Sequence, residues 1–137
     1  MTHFSWPVRV YYEDTDAGGV VYYANYLKFM ERARTEWLRE RGFEQDALKE
    51  QEGVLFIVHA VAVRYRQPAR FNDTLMVESP IDQLGRARIV YGQRVCRDAP
   101  EAELLCDGRI QLACVKADTF RPTAIPEPIR AEFSGET

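Results

Sequence analysis

From Tyr23 to Arg41, apolar side chains recur at Tyr23, Tyr26, Leu27, Met30, Ala33, Trp37 and Leu38, spaced by three and four. That spacing follows one face of an α-helix and predicts a long amphipathic helix. Gly42 suits the position just past its end, and Arg39 and Arg41 oppose the negative end of the helix dipole. Phe29 falls outside the main stripe, which predicts contacts on more than one side. Elsewhere the period is two. Residues 7–12 read as a first strand, 54–65 as a long apolar one, and 74–81 as a strand with Leu75, Val77, Ser79 and Ile81 on one face. Ala87, Ile89, Tyr91, Gln93 and Val95 line the next strand, and Leu104, Cys106, Gly108, Ile110, Leu112 and Cys114 the last. Residues 44–51 read as a short second helix, and the Pro-containing tail from Arg121 onward as irregular.

One helix cannot cover both faces of a sheet this large, which excludes a parallel doubly wound arrangement. The pattern predicts an α+β fold, an antiparallel sheet wrapped around one long central helix. Val58, Ala60 and Ala62 are read as an apolar patch on the sheet's other face. Its burial by another copy predicts a homo-oligomer, dimer or tetramer.

The 137 residues fit a single domain over 1–137. A net charge of −3 argues against a general nucleic-acid binder. No apolar run approaches the ~20 residues needed to span a bilayer. The start of the chain lacks the basic-then-apolar order of a secretory signal. Cys96, Cys106 and Cys114 form no CxxC pair, which predicts reduced thiols and a cytoplasmic location. No spaced cluster of His, Cys, Asp and Glu suggests a metal, and no cofactor is expected.

The chemistry concentrates between Tyr12 and Tyr26. Glu13, Asp14 and Asp16 precede Gly18-Gly19 and the start of the long helix. As an ordinary surface feature these acids are capping carboxylates, favoured near a helix N-terminus by ~0.3–1 kcal/mol. The same arrangement has a chemical use. Glycines let backbone approach a ligand, and the first helical turn offers unpaired N–H groups to an oxyanion. A carboxylate beside them can attack a carbonyl carbon or activate water. A thioester suits so small an apparatus, because its thiolate departs without a strong general acid.

The run YEDTDAGGVVYYANYLKFMERAR, with VRYRQPARFNDTL and IPEPIRAEF further on, resembles the hot-dog-fold acyl-CoA thioesterases of the 4-hydroxybenzoyl-CoA thioesterase type. It is most similar to the group associated with the Tol–Pal cell-envelope system. The resemblance implies a hot-dog fold and hydrolysis of an acyl-CoA to free acid and CoA. It matches Asp16 to the catalytic carboxylate and the backbone N–H of Tyr23 to the oxyanion donor, with Gly19 and Tyr22 against the substrate. It places Glu31 near the acyl pocket. Many relatives carry histidine where this chain has Tyr23. A backbone donor survives that exchange, whereas a phenol with an ordinary pKa near 10 is a poor base at pH 7. Nucleophile and general base both remain open for Asp16, as do CoA and acyl carrier protein for the carrier. The alternatives are an acyl-carrier dehydratase and a non-enzymatic partner of phospholipid synthesis at the envelope.

Asp14 is read as structural, since a turn acid commonly binds nearby N–H groups. The ordinary reading of Glu31 is an ion pair with Arg34 three residues on. His59, within a strand, reads first as a packed side chain and second as a catalyst or substrate contact, the one histidine that could serve a dehydratase, and His3 lies in the terminus. Arg64 and Arg70, with Arg66, Arg86 and Arg88, are expected to cluster around the end of strand 54–65 and the next hairpin. They serve either as edge charges or as contacts for CoA phosphates. The cysteines read as small core hydrophobes.

Overall fold

The computed structural model describes residues 4–135. Its elements are β1 (Ser5–Arg9), a 3-10 turn over Tyr12–Asp14, α1 (Asn25–Glu40), α2 (Gln45–Glu52) and β2 (Val54–Tyr65). Then come β3 (Thr74–Glu78), β4 (Ile81–Leu84), β5 (Arg88–Arg97), β6 (Leu104–Lys116) and α3 (Glu127–Ser134). The strands form one antiparallel sheet in the order β1-β3-β5-β6-β2, with β4 also paired to β5. α1 lies in the sheet's hollow, the α+β hot-dog arrangement the resemblance implies.

Alternation explains the core. Ile89 pairs with Leu112, Tyr91 with Ile110 and Val95 with Cys106, so one face of β5 and β6 is apolar apart from Gln93. Phe29, Met30, Ala33 and Trp37 of α1 are fully buried against it. A Cβ on Gly108 would lie 3.3 Å from the Met30 terminal methyl, which marks a close approach of helix and sheet. Each large side chain buried here contributes roughly 1.5–3 kcal/mol. Gly42, with φ +90°, ends α1 as its position suggested.

Several expectations are corrected. β1 ends at Arg9, and the Asp14 carboxylate accepts the Tyr11 N–H at 2.8 Å. That local bond offers residues 11–14 a turn in place of a ladder. The strand expected at 74–81 breaks at Ser79-Pro80, where proline has no N–H for the sheet, and resumes in the same direction as β4. The tail is not wholly irregular. Pro126 and Pro128 sit at the start of α3, where they are tolerated, and Ile129 and Phe133 bury one face.

Two faces also move. Leu27 is exposed whereas Phe29 is wholly inside, so the inner stripe of α1 is rotated from the expected one. In β2 a bulge at His59 shifts the register: Val58 pairs with Leu112, Ala60 with Gln111 and Val61 with Ile110. One inserted residue exchanges the faces of a strand. Val58 therefore lies on the helix side, and of the expected patch only Ala60 and Ala62 remain on the other face.

Candidate functional site

The turn before α1 is built largely from backbone. Asp16 donates its N–H to the Val20 carbonyl at 2.9 Å and accepts the Gly19 N–H on its own carbonyl at 3.0 Å. Gly19 has φ +79°, a conformation costly for any residue with a side chain. Asp16 Oδ1 accepts the Gly18 N–H at 2.8 Å, and a Cβ on Gly18 would press to 3.2 Å from that oxygen. The glycine pair thus fixes one carboxylate oxygen of an exposed aspartate. Bridges Thr15–Val21 and Val20–Arg70, and the Val21 N–H to the Ala69 carbonyl at 2.8 Å, anchor the turn to the segment after β2.

The helix start is held from the same turn. The Asp14 carbonyl accepts both the Tyr22 N–H and the Asn25 side-chain amide at 2.9 Å. With its carboxylate on Tyr11, Asp14 holds the fold locally. The Tyr23 N–H has no acceptor among the described residues, whereas the Tyr23 carbonyl accepts the Tyr65 hydroxyl at 3.0 Å. The rings of Tyr23 and Tyr65 meet edge to face at 6.1 Å, and Tyr26 lies 5.5 Å from Tyr65. Tyr26 accepts the Ala69 N–H at 3.1 Å. Tyr23, Tyr26, Tyr65, Arg66 and Pro68 border a pocket of about 250 Å³. Burial pushes the Tyr26 and Tyr65 phenols up, so both stay protonated at neutral pH.

The remaining expected residues are dispersed. Glu31 lies further along α1, at a groove between α1 and β2 that Arg34, Thr35, Val58 and Tyr91 also line. The expected Glu31–Arg34 ion pair does not form. Glu31 accepts the Thr35 hydroxyl at 3.3 Å, while Arg34 turns inward to Gln93 Oε1 at 2.8 Å. His59 is exposed at the bulge of β2. The expected arginine cluster is split. Arg64 lies with Arg94, Arg109, Asp82 and Asp107 in a broad depression of about 660 Å³. Arg66 pairs with Asp107, and Arg88 donates to Gln83 across the β4–β5 hairpin. Arg70 stays beside the Asp16 turn, its N–H on Asp73 at 2.8 Å.

Asp16, Gly19, Tyr22, Tyr23 and Arg70 thus gather at one end of α1, while Glu31, His59 and Arg64 stand elsewhere. Sequence reasoning missed Tyr65, whose signal was an aromatic ending a strand, and Arg34, whose partner Gln93 was visible as a polar residue on an apolar face. Among the described residues no group of His, Cys, Asp and Glu is arranged to hold a metal. Burial pushes the thiols of Cys106 and Cys114 up to about 12 and about 11, which leaves neither a nucleophile at neutral pH.

Known proteins are similar to this chain along most of its length. The model of the thioesterase-like superfamily matches residues 10–133. The acyl-CoA thioesterase YbgC of Haemophilus influenzae is 45% identical over 130 residues, covering 95% of this chain and 93% of that one. The acyl-CoA thioester hydrolase YbgC of Escherichia coli O6:H1 is 46% identical over 132 residues, 96% of each chain. In fold, the 1,4-dihydroxy-2-naphthoyl-CoA thioesterase from Synechocystis superposes with a TM-score of 0.88 at 22% identity, covering 97% of this chain and 96% of that one. With a family model spanning nearly its whole length and relatives at this identity, the chain belongs to the thioesterase-like superfamily.

Proposed function

We propose that this chain hydrolyses acyl-CoA thioesters to free acid and CoA, with Asp16 as catalytic carboxylate and the Tyr23 N–H as oxyanion donor. One observation carries the reading. A carboxylate with one oxygen tethered to Gly18 and a backbone N–H without an internal acceptor stand on the same short loop. A thioester carbonyl between them has its carbon within reach of the untethered oxygen, or of a water that oxygen deprotonates. Its own oxygen meets the Tyr23 N–H as negative charge develops. Collapse expels the thiolate of CoA. Gly19 and Tyr22 border the substrate, and the exposed Arg70 suits a CoA phosphate. The names of the H. influenzae and E. coli relatives support the substrate class. Acyl carrier protein presents the same phosphopantetheine thioester and is the alternative carrier.

This reading puts the protein in the cytoplasm, where CoA thioesters are made and used, and no described helix is long and apolar enough to cross a membrane. It also favours a homo-oligomer. β2 is an edge strand, and Val58 and Val61, on the helix side, are 50% and 43% exposed. A second copy pairing its own β2 would continue the sheet and shield both, giving a dimer, and contact through the outer faces of two dimers would give a tetramer. Sedimentation tests this directly. The dehydratase alternative loses support, because His59 lies about 20 Å along β2 from Tyr65 and so away from the Tyr23 amide.

The deciding experiment measures thiol release from short, long and aromatic acyl-CoAs by the wild type and Asp16→Asn. Hydrolysis that collapses in the variant supports the assignment. Activity retained in the variant overturns Asp16. No hydrolysis of any CoA or carrier-protein thioester leaves the envelope-linked binding partner as the reading.

A further inference from the structure

Arg34 is the buried arginine of α1, only 8% exposed, and it forms no ion pair, although the Glu31 charge acts on it from nearby. Its Nη1 donates to Gln93 Oε1, and its guanidinium lies 6.0 Å from the Tyr91 ring. Gln93 is itself committed, donating at 2.9 Å both to the Met30 carbonyl and to Ser79 Oγ. A guanidinium carries five N–H donors, so most of this one remains unused. Burying a cation against a single neutral amide is costly, and here burial pulls the arginine pKa down.

The unused donors are not sealed in the core. Among the described residues, the buried side-chain polar atom with neither partner nor solvent contact is Trp37 Nε1. The free edge of Arg34 therefore borders the groove between α1 and β2. Val58, Ile89, Leu112 and Tyr91 make that groove's walls largely apolar, and Glu31 stands exposed at its rim, bound by Thr35. Its volume of about 110 Å³ holds only a few heavy atoms, since a liquid water occupies about 30 Å³. The tyrosine-lined pocket at the Tyr23 amide borders the same two elements, at Tyr26 and Tyr65. Arg34 lies roughly 12 Å further along the helix axis than Tyr26, less the lean of its side chain toward the N-terminus.

We propose that this groove receives the far end of the acyl group, and that Arg34 selects chains ending in an oxygen acceptor over chains ending in methyl. A carboxylate, hydroxyl or carbonyl there completes the hydrogen bonding of a cation that the protein leaves short of acceptors. The inference rests on the thioesterase reading for what enters the groove, and it adds the substrate class.

The test uses acyl-CoAs of one chain length ending in methyl, hydroxyl or carboxylate. It compares kcat/KM in the wild type, Arg34→Met and Arg34→Lys, with thermal melting to check each fold. Non-hydrolysable thioether analogues of the same three are titrated by calorimetry. The wild type should favour an oxygen-ended chain by about tenfold or more in both assays, as a charged hydrogen bond allows. That ratio should fall toward one in Arg34→Met and survive in part in Arg34→Lys. A wild type that prefers methyl or does not discriminate overturns the proposal without recourse to a variant, as does a preference that persists in Arg34→Met. If no ester is hydrolysed yet the thioethers keep the ratio, the thioesterase reading fails and the Arg34 site stands.

Discussion

Two regions along α1 are made of different materials. At its N-terminus, the Asp16 turn and the Tyr23 amide are shaped by backbone bonds between neighbours, two glycines and one aspartate carbonyl that takes two donors. In its middle, Arg34, Gln93, Ser79 and the Met30 carbonyl form a side-chain network drawn from the helix, β5 and the break between β3 and β4. The first is exposed and the second buried. A reacting centre needs access and donors aimed at a developing charge, which a loop supplies. A centre that chooses among substrates needs low dielectric and fixed partners, which only a core supplies.

The largest effect should come from Asp16→Asn, because asparagine keeps an oxygen for the Gly18 N–H and loses only the charge and basicity. kcat should fall by about 10³-fold with the melting temperature little changed, as steady-state kinetics and calorimetry would show. A comparable loss of stability would mean that the charge also holds the turn, and the contrast between the two regions would weaken.

Gln93→Leu probes the other region. It deletes the acceptor of Arg34 and the donor to Met30 and Ser79, leaving a buried cation with no internal partner. Stability should drop by about 3 kcal/mol in denaturant unfolding. A near-neutral result would show that Arg34 swings out to Glu31 at the rim, and that the groove's polar wall is adjustable.

Tyr65→Phe tests the link between β2 and the helix start. Removing the hydroxyl frees the Tyr23 carbonyl and keeps the ring against Tyr26. One partly exposed hydrogen bond is worth about 1 kcal/mol, so kcat should fall by roughly fivefold with KM held. A change confined to KM would assign Tyr65 to substrate contact rather than to positioning.

The contrast between regions also explains what was legible in the sequence. The Asp16–Gly19 turn and α1 are local: their acids, glycines and period of three and four lie side by side in the chain. Gln93 and Arg34 are 59 residues apart, and nothing near either announces the other. The His59 bulge was illegible for a related reason. A strand's pattern reports alternation but not the one residue that slips, so Val58 moved to the helix side and Ala62 did not. In α3 the prolines read as breakers, although at the first turn of a helix they are compatible with it.

The smallest effect compares the ends of β2 through two buried thiols. Cys106 pairs with Tyr65 at the end of β2 near the Tyr23 amide, and Cys114 pairs with Phe56 at the other. Burial raises Cys106 to about 12 and Cys114 to about 11, from an ordinary value near 9. Because the native state favours the neutral thiol, the stability each contributes is complete below about 9. It is lost as pH rises through about 11 for Cys114 and about 12 for Cys106. Alkylation at pH 8 should therefore be slow at both, and slower at Cys106, the more strongly raised of the two. The reverse order, read by peptide mass spectrometry, would mean that the sheet opens first beneath Tyr65. The Tyr65 end would then be held less firmly than the bonds around Tyr23 imply, and the groove at Arg34 would be the stiffer of the two.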